Sequence, residues 1–303
     1  MTQSRGYNPD EIRQAKGVGY RIWTQFTRML KKNPNMIVGL IILLVFSLMT
    51  IFADFLVKYD PVAIDPTDRF MPPGEKHWFG ADNIGRDVYA RVVYGGRVSL
   101  LVGFMVAIFV TLAGLFIGLV SGYSPKLDMF VQRIMDALMS FPTLLLALAL
   151  IAMLGGSVWN VIAVITIVDT PRMVRVVRSS VLSVREQQYV EAARGIGAPT
   201  PRILFSHIAP NTMAPVIVQA TYFFALAILT EASLSFLGLG IPPEDPSWGN
   251  ILHAARTTME FYPWGAIFPG LAICFSVLGL NLLGDGLRDI LDPRLSEERG
   301  SNG

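Results

Sequence analysis

Long apolar runs separated by polar segments dominate the chain from residue 36 onward. A helix needs roughly 20 predominantly apolar residues to cross the hydrocarbon core of a bilayer, and runs of about that length recur along the sequence. Pro142 lies inside one of them and predicts a kink there. The pattern predicts six membrane-spanning helices, at residues 36–57, 99–122, 130–154, 158 to about 178, 213–237 and 264–283.

The first 35 residues are polar and basic. Residues 19–31 place Ile22, Trp23 and Phe26 at helical spacing, with basic side chains elsewhere around the helix. This arrangement predicts an interfacial helix that lies on the membrane surface before the first span. The polar segment is long and the apolar run after it exceeds a signal core, so we expect a cytoplasmic segment rather than a signal peptide.

Basic residues predict the orientation of the chain. Six spans place both termini on one side, and the basic N-terminus and the arginines between residues 172 and 202 indicate that this side is the cytoplasm. The external assignment of residues 58–98 follows from the rest of the chain, because that loop carries six basic and six acidic residues. The predicted divisions are a cytoplasmic segment 1–35, a six-span unit 36–290 with external loops 58–98 and 241–263 and cytoplasmic loop 184–211, and a cytoplasmic tail 291–303.

Composition supports a membrane protein and excludes several other classes. The 303 residues are 52% hydrophobic and 16% charged, with a mean hydropathy of +0.48, which is too apolar for an ordinary soluble protein. The net charge of +2 is too small to indicate nucleic-acid binding. Cys274 has no second cysteine to pair with, and His77, His207 and His253 lie too far apart for metal-ligand spacing.

One polar stretch between two apolar segments combines helix-forming residues with a Gly/Pro break. It runs from Glu191 to Asn211 and predicts a short helix, a turn at residues 195–199, and a second short helix that stops before Pro210. Ile203, Leu204 and Ile208 form an apolar stripe on the second helix, with arginines at the polar margins. Such a loop is suited to being gripped by another protein, although a membrane-surface hairpin without a partner has the same pattern.

The residues of this stretch resemble the "EAA" loop of ABC-importer permeases. The motif of that loop is Glu-Ala-Ala, three residues, Gly, nine residues, then Ile-x-Leu-Pro. Glu191, Gly197 and Pro210 fall on that pattern, as do Ala192 and Ala193. His207 stands in place of the Ile, as is usual in the peptide/nickel subfamily, and Ala209 replaces the Leu. The resemblance assigns the coupling of transport to ATPase subunits to Glu191, Ala192, Ala193, Gly195, Gly197, Arg202, His207 and Pro210.

Further stretches resemble the C-type permease subunit of dipeptide/oligopeptide ABC importers, so that the resemblance covers most of the chain from residue 36. They are residues 77–87, 94–100, 234–240, 246–249, 281–289 and 291–293. The resemblance implies an all-α type I ABC-importer permease fold in a bacterial or archaeal inner membrane. Implied partners are a related B-type permease, two cytoplasmic ATPase subunits and a periplasmic or lipid-anchored binding protein. Nickel chelate, glutathione or opine stay open as alternative cargo.

Ionisable residues inside predicted spans are candidates for function, because burying charge in a membrane is costly. Asp169 precedes Arg172 by three residues, which favours a local ion pair, and Asp136 is spaced in the same way from Arg133. Glu231 has no basic residue one turn away. It is a candidate to line the translocation path or to hydrogen-bond across a permease interface.

Small residues predict one close helix contact. Gly114, Gly118 and Gly122 recur every four residues within the second predicted span, a spacing that lets another helix approach closely. We interpret them as part of the scaffold.

Two other functional classes fit the sequence less well. An ion-driven secondary transporter needs coupling carboxylates near mid-membrane and often inverted repeats, and Asp169 and Glu231 are few and peripheral. A membrane-embedded enzyme needs a cluster of catalytic residues, and the sequence has no clear one. The sequence also lacks the Gly-x-x-x-x-Gly-Lys-Ser/Thr phosphate loop. We therefore expect no cofactor in this chain, with ATP and Mg²⁺ held by partner ATPases.

Overall fold

The structure, a computed structural model, describes residues 33–291 of the chain. These residues form helices joined by loops and contain no β-strand. The predicted interfacial helix and nearly all of the predicted tail lie outside the described residues. In chain order the helices are α1 (Pro34–Ile51), α2 (Ala53–Leu56), α3 (Val88–Tyr123), α4 (Pro125–Met139), α5 (Thr143–Leu154), α6 (Val158–Arg185), α7 (Gln188–Gly195), α8 (Thr200–Phe236), α9 (Trp248–Ala255) and α10 (Trp264–Leu291).

Four of these helices, α1, α3, α8 and α10, are long and apolar enough to cross a membrane. The pair α4 and α5 passes the same test as one unit, although the two helices are bent by 86° at the break before Thr143. The kink predicted at Pro142 is therefore a break between two helices. Helix α6 has 28 residues, about 42 Å, but it carries Asp169 and four arginines. The count of six spans stays a prediction.

Helices α3 and α6 run parallel and in close contact. Successive glycines of α3 lie against successive residues of α6 in the same chain direction: Gly114 against Met173, Gly118 against Val177, and Gly122 against Val181. Because the helices are parallel, α4 and α5 must lead the chain back from the end of α3 to the start of α6. The contact confirms the close packing predicted from the glycine spacing, and it requires the α4–α5 pair to return along the length of both helices.

The core lies between α3, α6 and α8, where Val106, Ile165 and Phe223 are buried. Helix α10 packs on α8 and α1. The contact with α1 is close, because a Cβ at Gly39 would lie 2.6 Å from the carbonyl oxygen of Gly279. Much of the remaining surface of α1 exposes apolar side chains such as Leu44, as expected of a helix that faces lipid.

The loop before α3 is organised by a buried histidine. His77 contacts Asp87 through Nδ1 at 2.7 Å and Asp68 through Nε2 at 3.0 Å. Asp87 is also the N-cap of α3, where its other oxygen accepts the Ala90 N–H at 2.6 Å. A neutral imidazole carries only one N–H, so the ring donates to both carboxylates only when it is protonated.

These contacts shift the pKa values of His77 and Asp68. Burial lowers the pKa of His77, but the hydrogen bonds to Asp68 and Asp87 outweigh it, so the pKa lies above its usual range. In turn, hydrogen bonds from His77 and Lys76 hold the pKa of Asp68 below its usual range. A raised histidine pKa gives stability that is complete below the unfolded pKa of about 6.5 and is lost as the pH rises through the folded pKa.

We predict that His77→Gln lowers the unfolding temperature most below about pH 6.5, where the protonated ring bridges both carboxylates. The difference from the unaltered chain should shrink as the pH rises to about 9. Thermal unfolding of detergent-solubilised protein across this range measures it. Glu75→Gln, at an exposed neighbouring position, is the control. A destabilisation that stays constant with pH would contradict the assignment of a protonated bridge.

A second prediction concerns the α3–α6 contact. A Cβ at Gly118 would lie 2.6 Å from Val177 Cβ and 3.0 Å from the Val174 carbonyl oxygen. Gly118→Ala should therefore destabilise the protein by about 1–3 kcal/mol, seen as a lower unfolding temperature. Gly270→Ala is the matched control, because nothing lies within 4 Å of its Cβ position in α10. Equal stability of the two variants would show that the helices are not in close contact at Gly118.

Candidate functional site

Helix α7 presents a charged face outward and an apolar face to the protein. Val190 and Ala193 are buried, whereas Glu191, Ala192 and Arg194 are exposed. Glu191 lies in the first turn of the helix, where the dipole favours a negative charge. Arg194 lies over the Tyr123 ring, 5.3 Å from its centre, and so joins α7 to the end of α3.

A turn built around Gly197 follows α7. Gly197 has φ of +77°, and its N–H donates to the Arg194 carbonyl at 2.9 Å, while the Ala198 N–H donates to the Ala193 carbonyl at 3.0 Å. These two bonds are those of a Schellman motif, in which glycine is favoured because the backbone is left-handed. The prediction that Gly197 turns the chain is confirmed. Gly195 has no positive φ and no atom near its Cβ position.

The second helix does not stop before Pro210, as the sequence pattern predicted. It begins at Thr200 and continues as α8 to Phe236. A π-helical turn spans Ile203–Ile208, and the Ala209 N–H donates to the Leu204 carbonyl, five residues back. Proline has no N–H and its ring clashes with the carbonyl four residues earlier in an α-helix. The wider π turn accommodates Pro210 without ending the helix.

The predicted apolar stripe faces inward. Ile203 and Ile208 are buried in the core and Leu204 packs against it. The outward apolar side chains of the segment are Tyr189, Ile196 and Phe205, the last two with exposed fractions of 85% and 64%. Sequence reasoning missed them, although the position of Phe205 off the stripe was a signal. Together with Glu191 and Arg194 they are exposed side chains of this segment, a set that we call the coupling surface after the role predicted for it.

The structure gathers the sequence-predicted site residues on this one segment. Most are exposed, except Ala193, which is buried, and His207, which is partly buried in the π turn. The exposed members are Glu191, Ala192, Gly195, Gly197, Arg202 and Pro210.

Arginines in the C-terminal half of α6 bind it to α4 and α5. Arg178 forms a two-pronged ion pair with Asp128, and Arg175 pairs with Asp136 at 2.6 Å. The local pair predicted between Asp136 and Arg133 is therefore wrong, because the packing of α4 brings a closer partner from α6.

The local pair predicted within α6 is present. Arg172 Nη1 lies 3.5 Å from Asp169 Oδ1, and Arg172 Nη2 donates to Thr143 Oγ1 at 2.7 Å. Asp169 is buried. Nearer the end of α6, Arg185 donates to the Gly122 carbonyl at 3.1 Å. The helix that leads into the coupling surface is thus fastened to α3, α4 and α5.

Glu231 lies at the other end of α8 and is fully buried. Its two carboxylate oxygens accept hydrogen bonds from Ser99 at 3.0 Å and Ser235 at 2.8 Å. Both donors belong to this chain, so these bonds do not cross a permease interface. A role in lining the translocation path stays a prediction.

A cavity of about 590 Å³ opens beside the start of the membrane-spanning part of α8. Asn211, Pro215 and Gln219 of α8 line it together with Arg288 near the end of α10 and Val176 of α6. Within residues 33–291, no group of three His, Cys, Asp or Glu side chains is placed to hold a metal ion.

Comparisons with known proteins agree with this architecture. The family profile described as "Binding-protein-dependent transport system inner membrane component" matches residues 99–297. A second profile, "N-terminal TM domain of oligopeptide transport permease C", matches residues 22–73. An inward-facing structure of the MetNI methionine ABC transporter superposes with a TM-score of 0.57, covering 67% of this chain and 96% of that chain. Its identity is 18%, so it shows the fold alone.

Curated relatives match along nearly the whole chain. The dipeptide transport system permease protein DppC of Alkalihalophilus pseudofirmus is 45% identical over 274 residues, 90% of each protein. The oligopeptide transport system permease protein OppC of Bacillus subtilis is 38% identical over 296 residues, 97% of each. The chain therefore belongs to the family of binding-protein-dependent transport system inner membrane components, the permease subunits of ABC importers.

Proposed function

We propose that this chain forms one half of the translocation path of an ATP-driven importer for dipeptides and oligopeptides. The peptide cargo is supported by the names of the relatives, which are dipeptide and oligopeptide permeases. Family membership makes the chain a transporter subunit of the inner membrane rather than an enzyme, with ATP hydrolysis in its partners. The other half of the path is a related B-type permease, and an external binding protein delivers the cargo.

The observation that carries the coupling mechanism is the continuity of α8. Its 37 residues run from Thr200 in the exposed segment to Phe236 without a break, a length of about 55 Å. A partner that grips the start of α8 therefore moves a helix that extends through the membrane. The preceding turn at Gly197 is fixed by two backbone hydrogen bonds, so α7 moves with it.

The coupling surface has the composition of a protein interface. Its exposed aromatic and aliphatic side chains, Tyr189, Ile196 and Phe205, lie beside Glu191 and Arg194. Buried aromatic residues commonly provide most of the binding energy at interfaces. We infer that one of the two ATPase subunits covers Ile196 and Phe205, while Glu191 meets basic residues of that subunit.

In this proposal the importer alternates between two conformations, one open to the outside and one open to the inside. ATP and Mg²⁺ bind to the ATPase pair, and closure of that pair displaces α7 and the start of α8. The arginine pairs of α6 carry the displacement to α4, because Asp128 and Asp136 are held by Arg178 and Arg175. Access to the translocation path then switches from outside to inside. ATP, bound at a different place, biases this change between two states. Identification of the ligand of the cognate binding protein tests the cargo directly.

The coupling surface yields a mutational prediction. Gly197→Pro is incompatible with a φ of +77° and removes the N–H that bonds to Arg194, and Glu191→Lys reverses the charge offered to the ATPase. Both variants should reach the membrane at normal levels but lose peptide uptake by at least about tenfold, the effect of about 1.4 kcal/mol. Their ATPase activity should no longer respond to loaded binding protein.

Gly195→Ala is the matched control, because this nearby glycine has ordinary φ and open space around its Cβ position. It should transport normally. Full uptake by both Gly197→Pro and Glu191→Lys, at equal protein level, would mean that the segment is only a surface hairpin.

The orientation of the chain gives another test. Reporter fusions at Glu75 and Asp245 should read external, and fusions at Arg194 and Glu297 should read cytoplasmic, because basic residues flank the cytoplasmic ends of spans. An external signal at Arg194 would refute ATPase coupling, since the ATPases cannot reach that side.

A further inference from the structure

We propose that Glu231 is a positioning residue that fastens the connection between α8 and α10 to the far end of α8. Movement started at the coupling surface would then reach the opposite side of the membrane. The proposal rests on the proposed function, because it takes α8 as the element that the ATPase moves.

Backbone amides of the connection donate to the serines that contact Glu231. The Trp248 N–H donates to Ser99 Oγ at 3.2 Å, and the Ile241 N–H donates to Ser235 Oγ at 3.1 Å. Each serine oxygen thus accepts from a backbone amide and passes its own single proton to Glu231. Each carboxylate oxygen accepts a hydrogen bond from one of the two serines. Each of these two hydrogen-bond chains, which we call relays, runs from a backbone amide in the connection between α8 and α10 through a serine to Glu231.

The network is sealed from solvent and from other charge. Glu231, Ser99 and Ser235 have exposed fractions of at most 2%. Within the part of the chain that the structure describes, no Lys, Arg or His forms an ion pair with Glu231. Trp248 is the first residue of α9, so one relay brings the positive end of that helix to bear on the carboxylate. An acid buried in this way is costly unless its hydrogen bonds stay intact.

The connection that Glu231 holds is itself rigid. The Trp248 indole N–H donates to the Val92 carbonyl at 2.9 Å, and Asn250 donates to the carbonyls of Pro242 and Asp245. A Cβ at Gly249 would lie 2.7 Å from Ala232 Cα, so α9 rests directly on the backbone of α8. The connection is therefore held to both α8 and the first half of α3, and Glu231 joins the two helices by accepting from Ser99 of α3.

The connection borders the turn between α5 and α6. A cavity of about 330 Å³ lies between the two, lined by Gly155 and Gly156 on one side and by Gly240, Ile241 and Ser235 on the other. The Ile241 backbone and the Ser235 hydroxyl are members of the relay itself. A shift of α8 that carries Ser235 and Ile241 with it therefore changes this cavity.

The chain offers variants that separate this role from lining the path. Glu231→Gln preserves shape but places an amide N–H₂ against one serine, whose hydroxyl proton then loses its acceptor, so one of the two hydrogen bonds to residue 231 is lost in its present form. Ser235→Ala removes a single relay and is the milder change. Ser233→Ala is the matched control, since this exposed hydroxyl on the same helix donates only to its own Leu229 carbonyl at 2.7 Å.

The experiment uses the assembled transporter in lipid nanodiscs with its binding protein. Cys274→Ser removes the one cysteine, and Glu244→Cys, at an exposed position of the connection, reports thiol labelling with and without ATP. We expect ATP to change the labelling rate in the otherwise unaltered chain. Glu231→Gln should abolish that change and reduce uptake by about tenfold, the factor for one lost hydrogen bond to a charged group. Assembly, basal ATP hydrolysis and the KM of uptake should be retained.

Ser235→Ala should partly weaken the ATP-dependent change in labelling, and Ser233→Ala should leave it intact. This pair of variants tests the proposal even if Glu231→Gln does not assemble. A normal ATP-dependent change in labelling in both Glu231→Gln and Ser235→Ala would overturn the proposal. A raised KM of uptake in Glu231→Gln with the labelling change intact would also overturn it, because that result indicates a residue that lines the path. The proposed function fails differently. If Gly197→Pro keeps uptake while Glu231→Gln loses the labelling change, the coupling surface is wrong and the role of Glu231 stands.

Discussion

The close contact between α3 and α6 is the constraint on which the rest of the molecule depends. Because Gly114, Gly118 and Gly122 offer no side chains, two long helices lie side by side in the same direction. That parallel arrangement requires α4 and α5 to fold back along them. It also places the end of α3 beside α7, where Tyr123 lies under Arg194. The exposed segment is therefore built on the most tightly packed pair in the protein.

Several charged side chains in the helical bundle are matched by partners from other elements or by hydroxyls, whereas buried Asp169 has Arg172 of its own helix 3.5 Å away. The arginines of α6 pair with carboxylates of α4, and Glu231 is surrounded by serines. Apolar packing around Val106, Ile165 and Phe223 separates the Arg175 and Arg178 pairs from the serines around Glu231. Specific polar contacts thus govern how the ends of the helices are joined.

Features set by local chemistry were predictable from the sequence, and features set by distant partners were not. The apolar runs, the glycine spacing and the left-handed turn at Gly197 follow from neighbouring residues. Asp136 looked paired within its own helix, but its partner Arg175 is brought in by tertiary packing. The helix through Pro210 was missed because burial of Ile203 and Ile208 outweighs a local stop signal. Ser235 lies one turn after Glu231 on the same helix, but Ser99 comes from α3, and no spacing rule connects Ser99 to Glu231.

The π turn at Ile203–Ile208 sets the rotational phase of α8. A π turn holds one residue more than the α-helix would, and each residue of an α-helix advances the chain by about 100° around the axis. The part of α8 that follows the π turn is thus rotated about the helix axis by about 100° relative to an uninterrupted helix. Glu231 lies beyond this turn on the same helix, so its direction toward Ser99 includes that rotation. The angular relation between the face that carries Phe205 and the face that carries Glu231 therefore depends on this π turn.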